Sequence, residues 1–266
     1  MSMTREFTQP QARQALVKQA FAAKNAVKVI AGIANTNQTH VLALVEAANR
    51  TLPTAIDIAA EPSLVSAVRE ATELPVFVSC IQPARLARAV ELGADVVELG
   101  NYDALYAEGL FLSHDEVLAL SKETVTLIQG RALVCVTIPG HLSVDTQRRL
   151  AVELEALGVD FIQTEGAART VAAQPQIQEL SASEKVQITL NNTEKLARAT
   201  RLPVMTASGI TPETISAAFA TGASAVGVGY FVNQHQSVDA MTTAMTQILQ
   251  AAQLKSESKT AATLAS

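Results

Sequence analysis

Four ionisable residues stand in runs that otherwise read as buried strand. They are Lys28 in "AVKVIAGI" (26–33), Asp57 in "TAIDIAA" (54–60), Glu98 in "DVVELG" (95–100) and Glu165 closing "DFIQTE" (160–165). A charge is seldom buried without a partner, because leaving water is costly. Strand alternation puts Lys28 on one face with Ile30 and Gly32, Asp57 with Ala55 and Ala59, and Glu98 with Val96 and Gly100. A lysine gathered with carboxylates in an interior can tune proton affinities for general acid–base work. Desolvated and neutral, it can also form a Schiff base with a carbonyl. The competing structural reading is an ion network that only fills the interior. Thr137, Gln163 and Ser208 add hydrogen-bonding groups near strand ends, and His141 follows in the loop "PGH".

A second chemistry is written in glycines. In "LPVMTASGITP" (202–212) an apolar strand stops on Ser208–Gly209, and Pro212 reads as a helix start. In "AVGVGYFVNQ" the next strand carries Gly227 and Gly229 before another short helical stretch. Bare backbone at a strand end lets an anion approach main-chain amides, and helix starts add unpaired N–H groups. Ser208, Gly209, Gly227 and Gly229 are therefore the candidate phosphate-binding set. The bland alternative is that these glycines only relieve crowding.

Positioning these residues needs a frame. Eight strand-like runs alternate with helical ones: 26–33, 54–60, 75–80, 95–100, 132–138, 160–165, 203–208 and 225–229. Such alternation predicts a parallel sheet with right-handed crossovers. Eight units in this length is the count of a closed (β/α)8 barrel, the α/β class known as the TIM barrel. An extra N-terminal helix from Pro10 to about Lys24 precedes the first strand and is placed to cover the barrel bottom. Pro62, Pro83 and Pro212 mark helix starts, and Ser113 with Glu116 reads as a capping box. The stretch 74–100 echoes 202–229, so strands 3–4 repeat as strands 7–8. Spacing within that repeat predicts an insertion after strand 6, at 166–188, either as a packing helix or as a lid. One domain over 1–252 follows, with a tail at 253–266 that lacks apolar periodicity and is expected to be disordered.

Composition narrows the function classes. Hydrophobic residues make up 48% of 266 and aromatics only 4%, which suits a sheet covered on both faces. Twenty basic against 25 acidic residues leave no basic footprint for nucleic acid. No apolar run reaches membrane-spanning length, and no secretory or transit pattern opens the chain. Cys80 and Cys135, each inside an apolar run, read as reduced core thiols. The four histidines, His40, His114, His141 and His235, share no metal-ligand spacing, so no metal is expected.

The segments "KVIAGIAN", "DFIQTEG", "TASGIT" and "GVGYFVN", in this order, resemble an uncharacterised plastid and cyanobacterial family, a hypothetical chloroplast reading frame or domain of unknown function. The resemblance covers nearly all of 8–250. It implies an aldolase-type barrel in the cyanobacterial cytoplasm or plastid stroma, and no settled activity. A wider similarity, at "ASG" and "GVG", is to phosphate-binding barrels of sugar-phosphate, histidine, tryptophan and thiamine biosynthesis, and to flavin-mononucleotide barrels. Many of those carry Gly-Gly and Gly-Ser where this chain has Gly209–Ile210 and Gly229–Tyr230.

The resulting expectation is an enzyme acting on a small phosphorylated carbonyl compound as an isomerase, epimerase or lyase. Ser208, Gly209, Gly227 and Gly229 would hold the phosphate. Lys28 would polarise a carbonyl or act as base, with Asp57, Glu98 and Glu165 as acid–base partners. No cofactor is required. The alternatives are an oxidoreductase barrel using FMN and a non-catalytic phosphometabolite sensor. Neither nucleic acid nor membrane is an expected partner, and a homo-oligomer is left open.

Overall fold

The computed structural model describes residues 9–102, 105–106, 109–166 and 181–264. Eight parallel strands close into a barrel in sequence order: β1 (Ala26–Ile30), β2 (Ala55–Ala59), β3 (Val76–Cys80), β4 (Val96–Leu99), β5 (Leu133–Ile138), β6 (Phe161–Thr164), β7 (Val204–Thr206) and β8 (Ala225–Val228). The closing pair is β1 with β8, registered Lys28 to Gly227 and Ala26 to Ala225. Every strand falls inside its sequence-read run. The helices are α1 (Pro10–Ala22), α2 (Gln38–Thr51), α3 (Pro62–Ala71), α4 (Pro83–Glu91), α5 (His114–Ile128), α6 (Val144–Leu157), α7 (Ala182–Ala199), α8 (Ile215–Ala220), α9 (Tyr230–Asn233) and α10 (Val238–Leu264). Outward strand residues such as Val27, Val29, Ile56, Ile58, Val97 and Val136 join the helices' apolar faces in one continuous core.

Local chemistry explains the helix ends. Pro62 and Pro83 occupy first helical turns, where the missing N–H removes no bond. Ser113 and Glu116 form the expected capping box, and Ser181 with Glu184 forms a second at the start of α7. Pro212 differs from expectation. Residues 212–214 make a turn and α8 starts only at Ile215, after the Thr214 hydroxyl has accepted the Thr211 amide at 2.9 Å. That local bond competes with an earlier helix start.

The bottom of the barrel is sealed by α1. Its Val17 and Phe21 pack with the inward residues Ala26, Phe77, Val96, Phe161, Met205 and Ala225. The Phe21 and Phe161 rings lie 4.2 Å apart. Arg13 on α1 is buried and donates through Nε to both oxygens of Asp95, at 2.9 and 3.0 Å. Arg69 of α3 donates to the same carboxylate at 3.0 Å, and so does the Val76 amide at 3.0 Å. Burial pushes the Asp95 carboxyl up, while the Val76 amide and the two guanidiniums pull it back. One carboxylate thereby ties the plug helix to α3 and β3.

At the other end of the chain, α10 runs from Val238 to Leu264, so helix continues where the sequence predicts a disordered tail from 253. The tail "QLKSESKTAATL" lacks an apolar stripe but is rich in good helix formers, and these extend a helix already nucleated by packing. Within the insertion, α7 begins at Ala182 and supplies a packing helix. The lid reading falls on 167–180, outside the described residues. Among the described residues no helix is long and apolar enough to cross a membrane.

Candidate active site

Lys28, Asp57 and Glu98 point inward, as strand parity requires, and meet at mid-height in the barrel. The Lys28 Nζ donates to Glu98 Oε2 at 2.5 Å and pairs with Asp57 Oδ2 at 3.0 Å. It also stands 4.9 Å from the centroid of the Phe77 ring. All three side chains are buried. Burial alone would lower the Lys28 pKa, but Asp57 and then Glu98 outweigh it and hold the ammonium above its ordinary value. Burial pushes the Glu98 carboxyl up against the pull of Lys28. Burial likewise raises the thiol of Cys135, on the neighbouring strand, and Cys80 is a second buried free thiol.

The carboxylates pass their order upward. Asp57 Oδ1 accepts the Ser79 hydroxyl at 2.5 Å, and Asp57 Oδ2 accepts Asn101 Nδ2 at 3.3 Å. Glu98 Oε1 accepts Thr137 Oγ1 at 3.0 Å and Gln163 Nε2 at 2.7 Å. The Gln163 amide also donates to Asn101 Oδ1 at 2.7 Å. Gln163 Oε1, by contrast, is buried without a partner among the described residues.

Above this layer lies a cavity of about 430 Å³ at the C-terminal ends of the strands. One wall is Ser208, Gly209, Ile210 and Thr211 after β7, with Gly227 of β8 and then Gly229, Tyr230 and Phe231. Asn101, Gln163 and Glu165 complete the lining, with Ile30 and Ile33 from β1 and its loop. The sequence-read anion residues and Glu165 therefore share one cavity. Lys28, Asp57 and Glu98 do not line it. The next inward residue of β1, Ile30, takes that place, and Lys28 is left only 1% exposed.

The glycines differ in what they do. A Cβ at Gly227 would stand 2.9 Å from Ile30 Cδ1 and 3.0 Å from Ala207 Cβ, so its bareness makes room for neighbouring side chains. A Cβ at Gly229 would meet only ordinary contacts, the nearest Ile30 O at 3.5 Å, and its φ is −111°. Among the described residues, nothing in the packing demands a glycine there. Ser208 and Gly209 both adopt left-handed backbone, with φ of 81° and 74°. For serine that conformation is uncommon and costs about 1 kcal/mol. Helix α7 seats against this corner: Thr189 Oγ1 donates to the Ser208 carbonyl at 3.3 Å, and a Cβ at Gly166 would collide with the same hydroxyl.

Glu165 is buried at the rim just past β6. Its Oε2 accepts the Tyr106 hydroxyl at 2.8 Å and the Gly140 amide at 3.3 Å. His141 Nδ1 lies 3.2 Å from the same hydroxyl, and Tyr106, Phe111 and His141 form an aromatic group with centroids 5.1 to 5.4 Å apart. Burial lowers the His141 pKa against the pull of the Leu112 carbonyl, so the imidazole is neutral at pH 7. Among the described residues there is no cluster of metal-ligating groups.

Sequence reasoning missed Asn101 and Tyr106. Asn101 had a signal, a Gly-Asn pair at a strand end: Gly100 and Asn101 have φ of 145° and 66°, and asparagine tolerates the left-handed region. Tyr106 sits in a loop with no periodicity to mark it.

The comparisons agree on the frame. A family model described as "Protein of unknown function (DUF561)" matches residues 12–258. An uncharacterised protein ycf23 from Cyanophora paradoxa is 38% identical over 226 residues, covering 85% of this chain and 91% of the relative. Among solved structures, 3-hexulose-6-phosphate synthase from Salmonella typhimurium superposes with a TM-score of 0.63 at 12% identity, over 86% of this chain and 99% of that one. Thiamine phosphate pyrophosphorylase from Pyrococcus furiosus gives 0.56 at 15%, over 87% and 97%. At these identities the two structures show the shared fold.

Proposed function

The chain belongs to the DUF561 family, and for it we propose a phosphate-binding barrel enzyme that isomerises, epimerises or cleaves a small phosphorylated carbonyl compound. One observation carries the reading: a single cavity is lined by the Ser208–Gly209 and Gly229 corner and by Glu165. The corner holds the phosphate and Glu165 does the proton chemistry. The two solved neighbours named above are both enzymes whose names contain a phosphorylated compound, which agrees in class.

The roles follow from placement. Phosphate oxygens approach the backbone at Gly209 and Gly229, where a side chain would stand in the way. The amides of Tyr230 and Phe231 precede the first intrahelical bonds of α9, whose Val232 and Asn233 amides donate to the Gly229 carbonyl at 3.0 Å. Glu165 removes a proton from the carbon beside the carbonyl and returns it, on the same face, to the neighbouring carbon, so the carboxylate is regenerated. Tyr106 and the Gly140 amide fix its orientation. Lys28, sealed beneath the cavity and protonated, is a positioning residue together with Asp57 and Glu98; a Schiff base would need a neutral, reachable amine. The setting in this reading is the cyanobacterial cytoplasm or the plastid stroma, in keeping with the relative from Cyanophora paradoxa.

The test separates binding from chemistry. Gly229→Ala should fold like wild type and lose binding of inorganic phosphate by at least about tenfold in calorimetric titration, since the methyl fills the approach. Glu165→Gln should keep ligand binding and abolish solvent-deuterium exchange into a bound phosphorylated ketone. Unchanged phosphate affinity in the glycine variant would remove this reading. A flavin spectrum in the purified protein would replace it with the FMN alternative.

A further inference from the structure

The polar layer beneath the cavity has a direction. Asp57 and Glu98 are both ion-paired to Lys28, and their oxygens accept hydrogen bonds from the polar groups above them. Asn101 therefore turns its NH2 end to Asp57 and Gln163 turns its NH2 end to Glu98. A flip of either amide would set a carbonyl oxygen against a carboxylate. Gln163 Nε2 then donates to Asn101 Oδ1, at 2.7 Å, and the chain of fixed amides ends on Gln163 Oε1.

That oxygen is an acceptor with no donor. Gln163 is 1% exposed, it lines the cavity, and among the described residues no hydrogen-bond partner reaches its Oε1. The atom lies toward β8, 3.4 Å from where a Cβ on Gly227 would stand. A buried acceptor left unmet costs about as much as a lost hydrogen bond, so a site that keeps one is built for a donor that arrives from outside. Gly227 is two residues below Gly229 on β8, a rise of about 6.6 Å. A phosphate at the corner and a donor at Gln163 are thus separated by a chain of about four or five carbons.

We infer that the ligand is a polyhydroxylated phosphate, an open-chain sugar phosphate of about five carbons, whose hydroxyl far from the phosphate donates to Gln163 Oε1. The inference rests on the phosphate reading above and extends it from an anion to a substrate class. A phosphorylated compound with an apolar tail would leave the acceptor unmet, and a tail ending in another acceptor would be repelled.

The experiment compares arabitol 5-phosphate with pentyl phosphate, matched in length and charge and differing in hydroxyls, by calorimetric titration of the full chain. Wild type should bind arabitol 5-phosphate at least about tenfold more tightly. Gln163→Leu should bring the two ligands to within about twofold of each other, with cooperative unfolding as the check on its fold. If that variant does not fold, Glu98→Gln serves instead. It releases the hold on the Gln163 amide and should narrow the same preference. Equal binding of the two ligands by wild type, or a preference that survives in the folded variant, overturns the inference. Inorganic phosphate titrated into wild type reports on the anion end separately. Phosphate bound without a preference for hydroxyls defeats this inference alone, and no phosphate bound defeats the reading beneath it.

Discussion

The barrel holds two buried carboxylate clusters at different heights. Near the bottom, Asp95 takes Arg13, Arg69 and the Val76 amide, and every donor belongs to the fold. At mid-height, Asp57 and Glu98 share Lys28 and accept hydrogen bonds from Asn101 and Gln163, where the chain stops on an oxygen unmet among the described residues. The carboxylates of both are hidden from water. The difference is closure: the lower cluster ends on itself and the upper one ends at a cavity. Burial of charge alone therefore does not separate a strut from a site. An unfinished hydrogen-bond chain that ends at a cavity is what marks the upper cluster as the candidate.

The comparison can be broken by mutation. The largest effect is expected for Lys28→Met, which leaves two carboxylates buried without a counter-charge. It should cost up to about 5 kcal/mol in urea unfolding, and it should also erase any preference for hydroxylated ligands, because the amides lose their orientation. Phe21→Ala empties the contact with Phe161 at the plug and should cost about 3–4 kcal/mol. Ligand affinity should stay at the wild-type value, and a fall in it would show that the two halves are not independent.

Smaller effects sharpen the same contrast. Tyr102 lies just past β4 with its hydroxyl buried and unpartnered among the described residues. Tyr102→Phe should raise stability by about 1 kcal/mol, since the phenyl ring needs no donor or acceptor. A loss on this substitution would reveal a bridging water. Last comes an exposed cluster on the barrel's outer side. Glu155 of α6 accepts Thr200 Oγ1 at 2.5 Å, the Arg201 amide at 2.8 Å and Arg201 Nε at 2.6 Å, which together lower its pKa from 4.5 to about 2. The folded value lies below the unfolded one. Its contribution is therefore complete above about pH 4.5 and disappears as pH falls towards 2. Glu155→Gln should flatten the stability profile in that acid window and change little at pH 7.

Much of this was legible in the chain. All eight strands could be read, because fully buried parallel strands are short apolar runs bounded by turns. Lys28, Asp57 and Glu98 could be placed inward by period-two alternation alone. Which layer meets the cavity could not be read, since that depends on strand stagger around the closed barrel and on Ile30 standing above Lys28. Pro212 misled because proline at a strand end suits a turn as well as a first helical residue. The tail misled because its helix former content, without an apolar face, does not by itself nucleate structure. Asn101 and Tyr106 belong to a loop, where side-chain direction follows no period.

The seal made by α1 makes the barrel a blind flask. Whatever enters by the rim leaves by the rim, past Tyr230, which is 81% exposed beside the opening.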